Sequence, residues 1–396
     1  MSNVKQLLFV HDHKFYKDDN GIYYSEGKLP LSAFDRFLKV SKSVAVLCRS
    51  EEVQDTSGLV LSCSDVVKFY PAKGVGWGVI WGRNFFHNIR HLWRMIYKSD
   101  FVALRLPCIF SVFVFPLLIL QRKPYAVEVV GDAYESIYNA GGRSARHKFM
   151  AFFFDFYTKI VVRLSVGAIY VTKSQLQKKY RSRRIASYAS NVSIDEVEKS
   201  VLEARIARCH ILAERKGYDV GVIGSFNNNY KGIDTLIEAI YWVRKKHNMD
   251  VKVRVLGTGR KELLEPIIEK CLAQDWVVFD GRKDKRGVVK WLDGLDLYCQ
   301  PSRTEGLPRS LIEAMSRGCP AIASDVGGMP ELLPASRLVP SDTPLALAEM
   351  IHLLINSPFQ MANDASDNFQ MAKQYYSSVL EKRRNQFWSD VVSSLN

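Results

Sequence analysis

Two glutamates, Glu305 and Glu313, stand eight residues apart in the stretch of the chain with the clearest chemistry. A carboxylate accepts hydrogen bonds only, so both side chains suit the hydroxyls of a sugar or ribose better than a phosphate. Gly306 and Leu307 precede a helix predicted to start near Pro308, and the free N–H groups of a helix start attract a pyrophosphate. Eight residues of helix would span ~12 Å, more than the separation of a glycoside hydrolase's carboxylate pair. Two separate binding roles are therefore predicted, the alternative being ordinary glutamates that pair with a neighbouring arginine.

The elements that position these residues can be predicted from the surrounding sequence. Residues 295–300 are mostly apolar and are typical of a buried strand, and residues 301–303 form the loop at its carboxyl end, where open α/β sheets bind ligands. Pro308 suits the first turn of the following helix, Gly318 ends it and Pro320 prevents its restart. The stretch is one strand–loop–helix–strand unit.

The string 300–331 resembles the C-terminal signature of retaining GT-B glycosyltransferases of group 1, also called family 4. The resemblance rests on Glu305 and Glu313, on Gly318-Cys319-Pro320, and on the run 327–331, Gly-Gly-Met-Pro-Glu. Glu-Gly-Leu-Pro-Arg at 305–309 is similar to a subgroup that builds bacterial surface polysaccharides. The resemblance implies an α/β, GT-B fold with two Rossmann-like domains facing each other across a cleft. Residues 1–195, completed by a C-terminal helix at about 375–396, would form the acceptor-side domain, and residues 196–374 the nucleotide-sugar-binding domain.

By the same resemblance, the loop after a predicted strand at 220–224 holds the donor diphosphate. Lys231-Gly232 matches the family's Lys and Gly, whereas Ser225 stands where an Arg is usual, and Arg303 or Arg309 would supply the missing charge. Lys231 and Glu305 are the implied catalytic residues, and Glu313 the implied ribose ligand. Gly257 lies on a glycine turn that is near the nucleotide base in the family, and Arg282, on the loop after the strand 277–279, completes the predicted donor site.

Two residues of the first half of the chain are also predicted to lie at the substrate site. Gly21 follows the first strand, on a loop that faces the donor phosphates in this fold, although an ordinary turn glycine is an equal alternative. Asp132 follows the strand 125–130 within Glu-Val-Val-Gly-Asp, a pattern similar to that of one subgroup, where many family members instead carry a His. The resemblance implies that Asp132 contacts the sugar or acceptor, and a helix-capping Asp is the alternative.

Neither a metal nor a cofactor is expected, with the nucleotide sugar acting as substrate. No Asp-x-Asp pair stands on a strand-end loop, so Lys231 and helix N–H groups would meet the charge of the departing diphosphate. The pair His11 and His13 lacks a third ligand at a recognisable spacing, and we interpret these histidines as loop residues near a strand end. Seven cysteines without a C-x-x-C pair favour a reducing cytosol over a disulfide framework.

Positive charge is concentrated in the first half of the chain. Residues 1–200 carry 29 Lys and Arg against 17 Asp and Glu, a net charge of +12 out of +14. The run 143–163 is aromatic and basic, and the run 173–184 is basic, so an anionic membrane surface is the expected partner. The alternatives are a solvated basic helix at 173–184 and a charge excess that only aids solubility. The apolar run 106–120 is too short and too proline-broken to span a bilayer and is expected to form a buried helix, a helix that grazes the membrane being the alternative. These features predict a cytoplasmic protein that is peripheral on the inner face of the cytoplasmic membrane.

The predicted activity is retaining transfer of a hexose from a UDP- or GDP-sugar to a lipid-linked or growing surface glycan. No residue in the matched segments is an evident nucleophile, and the family is described as reacting at the front face without one. A nucleotide-sugar epimerase of the same fold is one alternative. A basic nucleic-acid-binding protein is another, but the chain has no recognised nucleic-acid motif, so no nucleic-acid partner is expected.

Overall fold

The computed structural model describes residues 4–27, 29–72, 85–140 and 144–395. The chain forms two compact units, one of Met1–Ala189 with Glu381–Asn396 and one of Ser190–Leu380. The sequence-based boundaries, 195/196 and about 375, lie within a few residues of these. Residue 143 of the aromatic run lies outside the described ranges.

The first unit is a parallel sheet with helices packed on it. Its strands are β1 (Gln6–Lys17), β2 (Tyr23–Ser25), β3 (Ser43–Glu52), β4 (Val60–Leu61), β5 (Val67–Pro71), β6 (Phe101–Leu106), β7 (Tyr125–Val129), β8 (Gly167–Tyr170) and β9 (Ile185–Tyr188). Its helices are α1 (Asp35–Leu38), α2 (Phe85–Lys98), α3 (Ser111–Leu120), α4 (Ala133–Ala140), α5 (Ala145–Leu164) and α6 (Gln175–Lys179). The parallel pairs run in the order β5-β3-β1-β6-β7-β8-β9, while β2 pairs antiparallel with β1 and β4 pairs antiparallel with β2.

The second unit is a six-stranded parallel sheet. Its strands are β10 (Gly217–Ile223), β11 (Asp250–Leu256), β12 (Val277–Gly281), β13 (Leu297–Gln300), β14 (Ala321–Ser324) and β15 (Leu338–Val339). Its helices are α7 (Lys199–His210), α8 (Ile233–His247), α9 (Glu265–Lys270), α10 (Lys285–Gly294), α11 (Arg309–Ser316), α12 (Pro344–Ile355) and α13 (Pro358–Ala372), and α14 (Ser377–Ser393) then runs into the first unit.

The strand order of the second sheet decides where a ligand binds. The order is β12-β11-β10-β13-β14-β15, so the chain moves outward from β10 in one direction and then resumes at β13 on its other side. Parallel open sheets of this order bind ligands outside the carboxyl ends of the two strands where the order reverses. Both strands are buried, with Val220, Val222, Leu297 and Cys299 in the core. The switch point of the second unit therefore lies at the ends of β10 and β13.

One sequence-based expectation for the first unit needs correction. We expected the first strand to end at Val10 and His11 and His13 to lie on a loop, but β1 continues to Lys17 through an irregularity between Val10 and Lys14 in its pairing with β3. The polar residues at the irregularity interrupt the apolar pattern of the strand, so the sequence did not indicate that the strand continues. The aromatic residues of the run 143–163 lie on more than one face of α5: Phe149, Phe152, Phe153 and Phe156 are exposed on one face, whereas Phe154 is buried on another.

The apolar run 106–120 forms the end of β6 and helix α3, and Val114, Phe115, Leu117 and Leu118 are buried, as predicted. Ile119 and Leu120, at the end of α3, are exposed. Among the residues described, no helix combines the length and apolar character that crossing a bilayer requires.

Candidate donor-binding site

The switch point of the second unit brings together two residues that are 74 positions apart in sequence. Lys231 follows β10, on the short 3-10 helix Asn229–Lys231, and Glu305 follows β13. The Lys231 Nζ lies 2.5 Å from the Glu305 Oε1, and both side chains are largely buried. An ammonium has three donors, so this ion pair leaves Lys231 with further capacity for an anion.

Glycines let the two loops come this close. A Cβ on Gly232, whose φ is +65°, would lie 1.9 Å from the carbonyl oxygen of Pro301 on the loop after β13. A Cβ on Gly224 would lie 2.7 Å from the Cγ of Lys231, so the lysine side chain crosses directly over that backbone. Only glycine combines a positive φ with so close an approach. The close approach of the two loops therefore explains why a glycine follows Lys231.

A second glycine pair supports the Glu305 loop from the other side. A Cβ on Gly327, at φ +55°, would lie 1.9 Å from the carbonyl oxygen of Glu305, and the Gly328 N–H donates to the carbonyl oxygen of Gly306 at 2.7 Å. These contacts hold the Glu305–Gly306 peptide in place. The glycines that the sequence showed only as a turn thus position the proposed catalytic carboxylate.

A buried polar chain behind Glu305 was not predicted from the sequence. The Gln300 amide donates to the Ser302 Oγ at 2.8 Å and more distantly to the Glu305 Oε1 at 3.4 Å, and the Ser302 hydroxyl donates to the same oxygen at 3.1 Å. The side-chain Oε1 of Gln300 accepts hydrogen bonds from the hydroxyls of Tyr298 and Ser310 at 2.6 and 2.8 Å. Gln300 and Ser302 are fully buried. Gln300, a polar residue in a mostly apolar strand, was the feature of the sequence that could have indicated this buried polar chain.

The start of α11 offers the predicted anion-binding groups. The helix begins at Arg309 after Pro308, one residue later than the first-turn position that we expected for the proline. In the part of the chain that the structure describes, no acceptor takes the N–H of Gly306 or of Leu307. The helix dipole adds positive potential at the same end. These groups lie directly after Glu305 and suit a phosphate.

Glu313 lies one turn inside α11 and is largely buried. Burial raises the pKa of its carboxyl group, and the positive charges of Arg309 and Lys285 offset only part of this effect. None of the described residues donates a hydrogen bond to its carboxylate. A desolvated carboxylate without a donor is costly unless a ligand supplies hydroxyls. Arg309 itself is exposed at the start of the helix.

Three more of the predicted donor residues lie at the carboxyl ends of neighbouring strands. Ser225 follows β10, and its hydroxyl accepts the N–H of Asn227 at 3.3 Å. Gly257, at φ +148°, follows β11, and a Cβ there would lie 2.1 Å from the carbonyl oxygen of Gly224. Arg282 follows β12 and is exposed. Their roles toward a nucleotide stay predictions.

The contacts of Arg303 argue against its predicted role as a substitute for the family's arginine. Its guanidinium forms a two-pronged ion pair with Asp234 at 2.9 Å, and its Nε lies 2.6 Å from the Asp342 carboxylate. These carboxylates already compensate its charge. Arg309 is therefore the better source of additional positive charge near the start of α11.

In the first unit, the contacts of Asp132 are those of a helix cap. Its Oδ1 accepts the N–H groups of Tyr134 and Glu135 at the start of α4, at 2.9 and 3.2 Å. Lys179 Nζ lies 2.6 Å from its Oδ2, and the Tyr180 hydroxyl lies 3.3 Å from its Oδ1. The capping alternative thus accounts for the observed geometry, and a role toward the sugar or acceptor stays a prediction. Gly21, at φ +80°, occupies the turn between β1 and β2, so the turn alternative likewise describes it.

One group of potential metal ligands occurs among the described residues. Ligand atoms of His11 and Asp12, at the irregularity within β1, and of Cys108, just after β6, lie within 4.8 Å of one another. Burial holds the pKa of His11 well below its ordinary value and raises the pKa of Cys108 and Asp12. Arg105 and Arg49 add positive charge to the surroundings of His11 and so oppose a cation. The expectation that the protein needs no metal stays a prediction.

Comparison with known proteins agrees with the architecture. Residues 217–357 match the family of glycosyl transferases group 1. The chain is 27% identical to protein CapJ of Staphylococcus aureus over 394 residues, which covers 96% of this chain and 90% of CapJ. It is 34% identical over 131 residues to WcaL of Escherichia coli, named as a colanic acid biosynthesis glycosyltransferase, a match covering 31% of this chain and 32% of WcaL.

Among solved structures, HepE of Anabaena in complex with UDP and glucose has a similar fold. The TM-score is 0.66 at 16% identity, and the match covers 98% of this chain and 99% of HepE. At this level of identity the similarity concerns the fold alone. The resemblance to group 1 glycosyltransferases is confirmed: residues 217–357 match that family, and the chain has the two-domain GT-B fold of the similar solved glycosyltransferases.

Proposed function

We propose that this protein is a retaining hexosyltransferase that moves a hexose from a UDP- or GDP-sugar to a lipid-linked or growing surface glycan. The observation that carries the proposal is the buried Lys231–Glu305 pair at the switch point of a sheet that belongs to the group 1 family. The name of WcaL and the ligands of HepE support a polysaccharide product and a UDP-sugar donor.

The chemistry follows from the groups at the site. The departing diphosphate gains negative charge as the sugar–phosphate bond breaks, and the Lys231 ammonium with the N–H groups of Gly306 and Leu307 would stabilise it. Glu305, fixed by Gln300 and Ser302, would accept hydrogen bonds from the sugar hydroxyls. Glu313 would accept those of the ribose. Each role requires an acceptor or donor of the type that stands at that position.

Product analysis tests the proposal directly. The purified protein is incubated with UDP- and GDP-hexoses and a lipid-linked glycan acceptor, and the product is characterised by mass spectrometry and by the anomeric configuration of the new bond. We expect acceptor-dependent transfer with retention. Acceptor-independent conversion of the nucleotide sugar would indicate an epimerase, and an inverted bond would contradict the retaining mechanism.

Metal independence is part of the proposal, because the site supplies its positive charge through Lys231 and helix N–H groups. We expect the transfer rate to be unchanged by a chelator. A rate that is lost with the chelator and restored by one divalent cation would contradict this, and alanine substitution of His11 or Asp12 would then show whether their cluster is responsible.

We also propose that the protein works at the inner face of the cytoplasmic membrane, attached peripherally through its basic first half. The net charge of +12 over residues 1–200 supports this. Each Lys or Arg near an anionic surface contributes ~1 kcal/mol, so a few suffice for reversible attachment.

A further inference from the structure

Helices α2, α3 and α5 lie side by side in the first unit. The rings of Phe85 on α2 and Phe113 on α3 are 6.1 Å apart, and the Gln121 side chain after α3 donates to the Trp93 carbonyl at 3.1 Å. On the other side of α3, the Tyr157 hydroxyl of α5 donates to the Ser111 carbonyl at 2.8 Å. The three helices therefore form one layer.

Helix α5 presents an apolar stripe on the outside of this layer. Phe149, Phe152, Phe153 and Phe156 follow the spacing of one helical face, and Phe149 is 76% exposed. The opposite face, including Phe154 and Val161, is buried against the rest of the unit. Exposed aromatic residues continue on α2 with Phe86, Trp93 and Tyr97. This is a cluster of exposed large rings rather than scattered surface residues, and such clusters mark interaction sites.

The exposed charges on the three helices all have one sign. The exposed charged residues of the three helices are cations: Arg90, Arg94, Lys98, Arg146, Lys148, Lys159 and Arg163. Their one acidic residue, Asp155, is buried and lies 2.7 Å from the Lys159 Nζ. Phenylalanines flanked by Lys and Arg are the composition of a helix that lies in the interface of a bilayer.

We infer that the outer face of α2, α3 and α5 binds an anionic bilayer, with the phenylalanines of α5 inserted between the lipids. The inference rests on the membrane attachment proposed above and identifies the surface and the mode of binding. Helix α5, 20 residues long, would lie ~30 Å along the membrane plane rather than cross it. Binding then has an electrostatic part that salt screens and an apolar part that it does not.

Vesicle sedimentation of the full chain tests the surface. The variant Phe149→Ser/Phe156→Ser is compared with Phe359→Ser, which removes a similarly exposed ring (74%) from α13 of the second unit. We expect the wild type and the control to bind vesicles of phosphatidylcholine with phosphatidylglycerol, and the double variant to bind ~30-fold more weakly or worse at both low and high salt. Equal binding by the double variant and the control would overturn the inference.

The electrostatic part has its own variant. Arg146→Gln/Lys148→Gln keeps the rings and removes two charges, so affinity for anionic vesicles should fall roughly fivefold per residue and depend less on salt. Salt dependence equal to that of the wild type would exclude these cations from the surface. Wild-type protein that fails to bind vesicles but self-associates through Phe149 and Phe156 would show an interface between copies and overturn the assignment to lipid.

Two controls separate this inference from the proposed enzymatic function. Thermal unfolding by circular dichroism establishes that each variant is folded. Calorimetric titration with UDP, without lipid, reports on the second unit alone and should be unchanged in all variants. Vesicle binding without any sugar transfer would contradict the proposed activity and agree with the membrane-binding surface. Transfer to a water-soluble acceptor without vesicle binding would agree with the activity and contradict the membrane-binding surface.

Discussion

Glu313 is a proposed binding residue whose buried carboxylate lowers the stability of the protein without ligand. Its carboxyl group is largely buried and has no hydrogen-bond donor among the described residues, so we expect it to bind the donor ribose. Glu313→Gln keeps the shape but removes the charge, and hydrogen bonds to charged groups are worth ~1.5–3 kcal/mol. We expect the affinity for UDP, measured by calorimetry, to fall roughly tenfold or more. Glu269→Gln, an exposed helical glutamate of the same unit, should bind UDP normally. Unchanged affinity in Glu313→Gln would remove this residue from the site.

The same variant should gain stability without ligand. Burial raises the pKa of Glu313 in the folded state, so the folded protein binds this proton more tightly than the unfolded chain. The stability linked to this group is therefore full below the ordinary pKa of a glutamate and is lost as the pH rises through the folded-state pKa. At neutral pH, Glu313→Gln should show a higher melting temperature than the wild type in the absence of UDP. A lower melting temperature would show that the carboxylate stabilises the fold.

Lys231 and Glu305 should matter most for turnover. Their 2.5 Å contact fixes both groups before the donor binds, and removing one leaves the other largely buried without its partner. Lys231→Ala and Glu305→Ala are each expected to lose ~10²-fold or more in transfer rate. Lys270→Ala, which breaks the exposed Lys270–Glu238 pair at 2.8 Å, is the matched control and should keep its rate. A near-normal rate in Lys231→Ala would assign the phosphate charge to Arg309.

At the scale of elements, the loop after β13 depends on the turn after β14. Gly327→Ala would force its Cβ into the Glu305 carbonyl, so the loop must shift. We expect both a lower melting temperature and a transfer rate at least tenfold lower, because small misplacements of catalytic groups are costly. Gly58→Ala is the control, since Gly58 also has a positive φ, +75°, but nothing lies within 4 Å of its Cβ position. Equal effects in both variants would attribute the loss to backbone strain alone.

At the scale of the whole molecule, α14 completes the core of the first unit. Trp388 is fully buried, with its ring 4.9 Å from that of Phe37, and a Cβ on Gly167 would lie 2.7 Å from Val391. Trp388→Ala should destabilise the first unit by ~3–5 kcal/mol, seen as an earlier transition in calorimetric unfolding. UDP affinity should persist because Glu313 and the N–H groups of Gly306 and Leu307, the proposed ribose and diphosphate ligands, lie in the second unit. Trp93→Ala, at an exposed position, is the control, and an equal loss there would contradict a special role for α14.

Much of the fold and part of the site followed from local patterns in the sequence. The strand–loop–helix unit from β13 to α11 was predicted with Gly318 at its end, because helix starts, helix ends and apolar periodicity depend on neighbouring residues. Lys231, Glu305 and Glu313 were selected by motif, and their roles toward the donor stay predictions.

Only the tertiary structure decided which of these residues meet and which surfaces remain open. The order of strands in the sheet places Lys231 against Glu305, and it places Arg303 between Asp234 and Asp342 instead of at the start of α11. In the first unit, the packing of α5 leaves four of its phenylalanines exposed and buries Phe154. Contacts between residues far apart in sequence depend on how strands and helices pack, and no local pattern of residues contains that information.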